Sequence, residues 1–345
     1  MLRREAPLDR LLEAVRGCDR LVLLGDVVEL RHGRLQPVLA QATPVLREIG
    51  QAVGEVVIAP GNHDHHLLAA WFERRALEEQ PAPLGLRADV GWQPHEPLGM
   101  VVDALAPAAV TVAYPGLWLR DDVYATHGHY LDRHTTVPLI ERLGAGVMAR
   151  ILREPPTGPR RAEDYESTLQ PIYAWIHALA QAGAPDIGDR RLDPSMRGWR
   201  VLAGTGGRRS LRARGLAAGF PALVAAMNRA GIGPLQADLS GPELRRAALR
   251  AFGEVIGRLS IDAPYVVFGH THRAGPLPGD DPSEWRAPSG ARMVNCGSWV
   301  YQPDFLGDDP VTSPYRPGFG IEVGDVGPPG LVNLLSASPG VKQTA

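Results

Sequence analysis

Cysteine, long apolar runs and an excess of one charge are all scarce in this sequence. Its two cysteines, Cys18 and Cys296, are too few for a disulfide framework, so we expect a reducing compartment. The formal net charge of −2 provides no basic face, so no nucleic-acid partner is expected. The most apolar stretch, residues 215–227, contains Pro221 and is shorter than the roughly 20 residues of a membrane span. The N-terminal residues lack the apolar segment of a signal peptide, so we expect a cytoplasmic protein.

The overall composition is that of a globular protein. Apolar residues make up 44% of the chain and charged residues 21%. The 345 residues suffice for one large domain or two ordinary ones with an ample core. Glycine and proline, at 39 and 32 residues, indicate many turns.

The spacing of apolar residues predicts most of the secondary structure. Spacing of i, i+3, i+4, i+7 predicts helices over 7–16, 37–49 and 65–79. Short apolar segments predict strands at 20–24, 55–59, 110–114, 117–119, 123–126, 265–268, 293–295, 318–323 and 331–335. Turns are predicted at Pro115-Gly116 and at 328–330.

Four of the predicted strands end in polar side chains. The residues that follow them are Gly25-Asp26, Gly61-Asn62-His63-Asp64, His127-Gly128-His129 and Gly269-His270-Thr271-His272. Because α/β proteins place their sites outside the carboxyl ends of sheet strands, we expect these side chains to converge on a metal site.

These side chains offer oxygen and imidazole ligands and no thiolate. That mixture suits Mn, Fe or Zn in a catalytic site better than a structural zinc site. Two divalent ions roughly 3.5–4 Å apart can clamp a phosphoryl group, and a carboxylate must bridge them. Asp26 is the natural bridge, and the Asn62 carbonyl would be an unusual and therefore informative ligand.

In this order the four motifs resemble the calcineurin-like metallophosphoesterases. The resemblance covers about 1–133 and 262–335 and implies a four-layer αββα sandwich of two sheets flanked by helices. The Asp26-to-Glu29 spacing, the segment 295–299 and a helical insertion are similar to the UDP-2,3-diacylglucosamine hydrolase branch.

The resemblance also implies roles for individual residues. Asp26 would bridge two divalent ions, and His272 would bind the first of them. The second ion would be completed by Asn62, His127 and His270. A metal-bridging hydroxide would then attack a phosphate ester or pyrophosphate.

Four further residues have proposed roles beside the metals. By the resemblance, His63 would face the scissile phosphate and stabilise charge or protonate the leaving oxygen, and Asp64 would orient it. His129 and Arg133 are weaker candidates for substrate binding; a structural or solvent-facing role is the alternative for each.

The sequence departs from the family pattern at its first motif. The family opens with a strand ending in Asp-x-His, and no Asp-x-His lies upstream of Asp26; Asp9 and Asp19 have no such partner. Either the motif lies upstream of the recorded start or it has been lost. In both cases we expect a weak or absent first metal, slow turnover and an open sheet edge.

We predict that residues 134–261 form an all-helical insertion, or cap, and that residues 336–345 form a tail. Ser240 to Glu243 resembles a capping box. Gly204 to Arg209 resembles a phosphate-binding loop but lacks the Walker spacing and lysine, so we interpret it as an ordinary loop. Arginines 208, 209, 212 and 214 beside 215–227 are consistent with a solvated helix face or with peripheral contact to an anionic membrane.

Together these features predict a dinuclear-metal phosphoesterase acting on a small molecule such as a nucleotide, a nucleotide-sugar or a phospholipid-type phosphate. The alternative is a non-catalytic scaffold that kept the fold after losing the first metal. Presence of Asn62, His63 and the downstream histidines favours the enzyme, since a scaffold has no need of them.

Overall fold

The computed structural model describes residues 2, 5–138, 140–155, 157–182, 211–230, 233–238, 240–301, 303–307 and 309–336. The chain divides into two compact units. The first unit comprises 1–128, 262–285 and 291–345, and the second comprises 129–261 and 286–290. The sequence places the first boundary at 133/134 instead of 128/129, and no sequence pattern indicates the segment 286–290.

The first unit is a mixed α/β structure. Its strands are β1 Leu21–Leu23, β2 Glu55–Ile58, β3 Arg87–Asp89, β4 Ala109–Arg120, β5 Val123–Thr126, β6 Tyr265–Phe268, β7 Ala274–Gly275, β8 Arg292–Cys296, β9 Phe319–Glu322 and β10 Gly330–Asn333. Its helices are α1 Glu5–Val15, α2 Leu35–Ala52, α3 Ala69–Ala76, α4 Pro97–Ala104 and α9 Pro303–Leu306.

Eight of these strands form one sheet in the order β1-β2-β4-β5-β6-β8-β7, with β3 paired to β4. The pairs β1-β2, β2-β4, β5-β6 and β6-β8 are parallel. The motif-bearing strands β1, β2, β5 and β6 therefore belong to one sheet. Among the described strands β1 pairs with β2 alone and forms an edge of the sheet.

Apolar patterning accounts for the core of the first unit. Helix α1 buries Leu8, Leu11, Leu12 and Val15, the residues that predict it. On the sheet, Val57, Ala113, Val123 and Val267 belong to one cluster of buried side chains. β9 and β10 form a separate antiparallel hairpin, which confirms the predicted pairing of these strands; the chain bends at 325–327 instead of 328–330, and Gly330 already belongs to β10.

The turn predicted at Pro115-Gly116 is wrong, because β4 continues through it for 12 residues. β4 pairs with β2 along its first part and with β5 from Gly116 onwards. A Cβ at Gly116 would overlap the Tyr124 ring and the Ala125 carbonyl. The glycine therefore permits a close approach between strands rather than a reversal of the chain.

The second unit is helical among its described residues. Its helices are α5 Ile140–Ile151, α6 Ala162–Gln181, α7 Leu211–Arg229 and α8 Gly241–Arg258. Helix α8 begins where the sequence predicts, but the capping box is absent: Ser240 makes no side-chain cap hydrogen bond, and Glu243 pairs with Arg250. The Ser240 amide, the donor that Glu243 would accept in a capping box, bonds to Asp238 Oδ1 at 2.8 Å instead.

Several sequence predictions lie outside the described residues. These are the loop 204–209, the arginine side chains at 208, 209, 212 and 214, and the tail beyond Ser336. Within the described part of the chain, no helix combines the length and the apolar character needed to cross a bilayer. Residues 81–99, which are rich in proline and glycine and for which the sequence predicts no element, contain β3 and the start of α4.

Candidate metal centre

Three of the predicted ligands have a strained backbone. Asp26, His270 and His272 have φ values of 54°, 62° and 61°, in the left-handed region. Side chains other than glycine rarely adopt this conformation, although Asp and His do so more often than most residues. Each directly follows or lies just beyond a strand end, and strain of this kind concentrates at functional sites because the surrounding fold must support it.

Four predicted ligands, here called the strand-end cluster, come together in the first unit. They are Asp26, Asn62, His127 and His270. Asp26 Oδ2 lies 3.3 Å from His127 Nε2, and Asn62 Oδ1 lies 3.2 Å from that same nitrogen. Asn62 Oδ1 also lies 3.1 Å from His270 Nδ1. The structure thus brings together side chains separated by up to 244 positions because β2 and β5, which run in opposite directions, both end against the middle of β4: Ile58 pairs with Val112 and Thr126 with Gly116.

The tautomer of His127 follows from its backbone contact. His127 Nδ1 lies 3.0 Å from the Leu24 carbonyl oxygen, which can only accept, so Nδ1 carries a proton. Nε2 then faces two oxygen acceptors, on Asp26 and Asn62. Burial lowers the pKa of His127, but Asp26 outweighs it and raises the pKa overall. A second proton or a cation must therefore sit between these groups, which is the arrangement of a metal ligand whose other nitrogen is fixed by the backbone.

Two glycines permit this close assembly. Gly25 has φ +84°, and a Cβ there would overlap the His127 ring. A Cβ on Gly61 would lie 2.7 Å from His127 Cδ2 and would also collide with the Asp26 carboxylate. The glycines that mark the motifs are thus required by side-chain packing around the cluster as well as by the turn.

Asp64 supports the backbone of the cluster. Its side chain is fully buried, and its two oxygens accept hydrogen bonds from the amides of Gly61 at 2.6 Å and Val27 at 2.7 Å. Burial and the Asp26 charge raise the pKa of Asp64 to about 6. Asp64 therefore joins the turns after β1 and β2; its predicted role in orienting His63 stays a prediction.

Glu29 is the carboxylate that contacts the His63 ring. His63 Nδ1 lies 2.6 Å from Glu29 Oε2, and the His63 amide donates to Asp26 Oδ1 at 3.0 Å. Burial acts to lower the pKa of His63, but Asp26 and Glu29 outweigh it and raise the pKa to about 9. Burial acts to raise the pKa of Glu29, but contacts to His32 and His63 outweigh it and lower the pKa to about 2. His63 and Glu29 thus form an imidazolium–carboxylate pair at neutral pH.

Glu29, His32 and His63 also form the one group, among described residues, in which three carboxylate or imidazole ligand atoms lie within 4.8 Å of one another. Glu29 Oε1 lies 3.3 Å from His32 Nδ1. The 2.6 Å contact from Glu29 to His63 is a short charge-assisted hydrogen bond, with no room for an ion between the two atoms. This geometry fits a proton-holding pair better than a metal site.

The remaining predicted residues occupy different surroundings. His272 is half-buried, two residues beyond His270 in the same loop. His129 and Arg133 belong to the second unit. There His129 is 1% exposed beside the rings of Tyr130 and Tyr173, and Arg133 forms an ion pair with Glu154.

Asn295 in β8 supports the His270 loop. It is fully buried, and its Nδ2 donates to the Gly269 carbonyl at 2.8 Å and to Thr271 Oγ1 at 2.9 Å. Its Oδ1 accepts from the Gly297 amide at 2.8 Å. Sequence reasoning assigned no site role to Asn295 or to the Glu29 side chain. The available signal was position: each lies on or near the end of a sheet strand.

No family model, curated protein or solved structure matches this chain.

Proposed function

We propose that this protein is a metal-dependent phosphoesterase that hydrolyses a phosphate ester or pyrophosphate bond of a small molecule. With this we also propose the finer architecture, a four-layer αββα sandwich with the helical second unit as its cap. The observation that carries the proposal is the assembly of four side chains in which Asp26 and Asn62 both contact His127 and Asn62 also contacts His270.

The donor set of the strand-end cluster fits a divalent ion. A carboxylate, an amide oxygen and two imidazoles form a mixed O/N set of the kind that Mn, Fe and Zn accept. Bound divalent ions supply Lewis-acid polarisation of a phosphoryl oxygen and lower the pKa of water. Of the residues that the resemblance assigns to a first ion, only Asp26 and His272 are present, so we propose that a first ion binds more weakly than a second.

His63 is the proposed proton donor to the leaving-group oxygen. With its pKa raised to about 9, the imidazole carries the required proton at neutral pH. Glu29 holds Nδ1, which leaves Nε2 for the substrate. The His63 side chain is 19% exposed and therefore accessible to a bound molecule. A positioned general acid of this kind contributes typically 10²–10⁴-fold to a rate.

The test is hydrolysis of bis(p-nitrophenyl) phosphate by the full chain with added Mn²⁺, together with elemental analysis of bound metal. We expect Asn62→Ala and His270→Ala to lose bound Mn and at least about 100-fold in kcat/KM. His63→Ala should lose a similar factor in rate while keeping its metal. His95→Ala is the matched control, because His95 is exposed and far in sequence from every motif.

Two results would count against the proposal. Activity that survives Asn62→Ala and His63→Ala would place the hydrolysis elsewhere. A protein that binds no Mn and hydrolyses nothing would favour the non-catalytic scaffold. The substrate class is then tested by comparing nucleotide, nucleotide-sugar and phospholipid-type diphosphates under the same conditions.

A further inference from the structure

A small pocket in the second unit is rich in arginine. Its volume is about 270 Å³, and Arg133, Arg142, Arg150 and Arg153 line it. Glu154 is the one carboxylate among the described lining residues. Four guanidinium groups therefore face a single carboxylate, an imbalance that favours a negatively charged occupant.

The sequence of α5 explains how the arginines share one wall. Four residues of α5 line the pocket with the helical spacing i, i+4, i+7, i+8, namely 142, 146, 149 and 150, and Arg153 follows two residues beyond the end of the helix. Gly146 and Ala149 are small, and they lie between the arginines. Small residues between long cationic ones leave space in front of the guanidinium groups.

Arg142 is buried without full hydrogen bonding. It is 2% exposed, and its Nε donates to the Thr135 carbonyl at 2.9 Å. Its Nη1 is buried and has no hydrogen-bond partner. A buried charged donor without an acceptor costs free energy unless a ligand or water supplies the acceptor.

The surroundings of Arg142 are strongly positive. Burial and the neighbouring Arg133 lower the pKa of Arg142 to about 10, so it stays charged at neutral pH. Burial together with Arg258, Arg133 and Arg142 lowers the pKa of His134 to about 3. Glu154 already forms an ion pair with Arg133. Because Glu154 is the one carboxylate of the described lining, no second carboxylate there balances the charges of Arg142, Arg150 and Arg153.

We propose that this arginine pocket binds a phosphate-class oxyanion at a site separate from the strand-end cluster. Guanidinium groups bind phosphate oxygens through paired, charge-assisted hydrogen bonds, and several of them around one pocket are typical of phosphate recognition. The volume is below that of pockets for drug-sized ligands, so the occupant is a phosphate ion or the phosphate group of a larger molecule.

Two sources could supply this phosphate. One is a soluble phosphate compound, and the other is a phospholipid headgroup. Val147 and Ile151, which follow Gly146 and Arg150 on α5, are 46% and 66% exposed and could contact acyl chains. The test below therefore has an arm for each source.

The first arm measures binding of inorganic phosphate to the full chain by isothermal titration calorimetry in the presence of a chelator. Chelation keeps metal-dependent phosphate binding at the strand-end cluster out of the measurement, so failure of the proposed enzyme activity would not affect the result. We expect Arg142→Gln to weaken binding about tenfold or more, and Arg150→Gln to weaken it several-fold. Arg150 is exposed, so its variant tests the site even if Arg142→Gln folds poorly.

Arg161→Gln is the matched control. Arg161 lies in the same unit, carries the same charge and has a side chain 70% exposed, but it does not line the pocket. Unchanged affinity in this variant, with loss in the other two, supports the site. Equal affinity in all four proteins, or no phosphate binding by the wild type, would overturn it.

The second arm measures co-sedimentation of the chelated protein with vesicles of phosphatidylcholine alone or with phosphatidic acid. Binding that requires phosphatidic acid and is lost in Arg142→Gln and Arg150→Gln identifies a lipid source. If inorganic phosphate binds and the vesicles do not, the source is a soluble phosphate compound. Binding that is equally strong in all variants would contradict a defined pocket in this arm too.

Discussion

The strand-end cluster and the arginine pocket bury polar groups of opposite chemistry. In the cluster, the acceptor oxygens of Asp26 and Asn62 face an imidazole nitrogen whose partner nitrogen already holds a proton. In the pocket, four arginines share one carboxylate, and Arg142 Nη1 is buried without a hydrogen-bond partner, as is Glu154 Oε1. The first arrangement suits a cation and the second suits an anion.

The comparison shows why unsatisfied polar groups indicate ligands. Folding normally pairs each buried polar group, because an unpaired one costs about 1–3 kcal/mol. The arginine pocket departs from this rule at Arg142 Nη1, whereas the atoms of the strand-end cluster contact one another and would exchange those contacts for a cation. Breaking each region separately should therefore affect one ligand and leave the other unchanged.

The largest effect is expected from Asp26→Asn. Asparagine tolerates the left-handed backbone at this position, so the change removes charge with little added strain. We expect kcat/KM for the diester to fall about a thousandfold, because a carboxylate in contact with the metal is lost. Elemental analysis should show less Mn per chain.

The same variant tests whether the two regions are independent. Phosphate binding to chelated Asp26→Asn should equal that of the wild type. A parallel loss of phosphate affinity would contradict two separate sites.

The second effect concerns Glu29→Gln. His63 acts as a donor only when protonated, so activity should fall as the pH rises through its pKa of about 9. Burial lowers the pKa of His63 and the Glu29 charge raises it. Removing that charge should therefore lower the pKa of His63 and move the alkaline limb of kcat/KM to lower pH. We also expect the rate at pH 8 to fall about tenfold or more.

NMR titration of the His63 imidazole in chelated protein measures the shift directly. Exposed Glu13→Gln, which changes the same charge in α1, is the control. An alkaline limb unmoved by Glu29→Gln would mean that Glu29 does not hold the proton of His63.

A smaller effect is expected from Gly61→Ala. The added Cβ would press against the His127 ring and the Asp26 carboxylate, and we expect a loss of about 1–3 kcal/mol in the free energy of unfolding, measured with urea. Gly54→Ala is the control, since nothing lies within 4 Å of a Cβ there. Equal stability of the two variants would show that the cluster yields readily to added volume.

The smallest effect is expected from Arg142→Met. Replacing a buried charge by an apolar chain of similar length is often neutral or stabilising, so we expect a change within about 1 kcal/mol in urea unfolding without phosphate. A loss of about 3–5 kcal/mol would instead indicate that Arg142 is a structural ion-pair partner. Phosphate should stabilise the wild type and have no such effect on the variant.

Local sequence patterns correctly predicted the elements that have a regular spacing of apolar residues along one face. Helix α1 and the β9–β10 hairpin follow the predictions. The prediction of a turn at Pro115-Gly116 was wrong because glycine occurs both in turns and where two strands approach closely. The neighbouring Tyr124 side chain shows that the second case applies to Gly116. The prediction of a capping box was wrong because Glu243 forms an ion pair with Arg250 instead.

The sequence by itself determined which residues could act as ligands, since glycine-bounded strand ends carry their polar side chains at fixed places along the chain. Tertiary structure decided which of them meet. It placed Glu29 beside His63 and Asn295 beside the His270 loop, and it placed Arg142 and Arg133 around one pocket. The physical reason is that local periodicity fixes the face of a helix or strand, whereas contacts between distant segments depend on how the strands pair and how the helices pack.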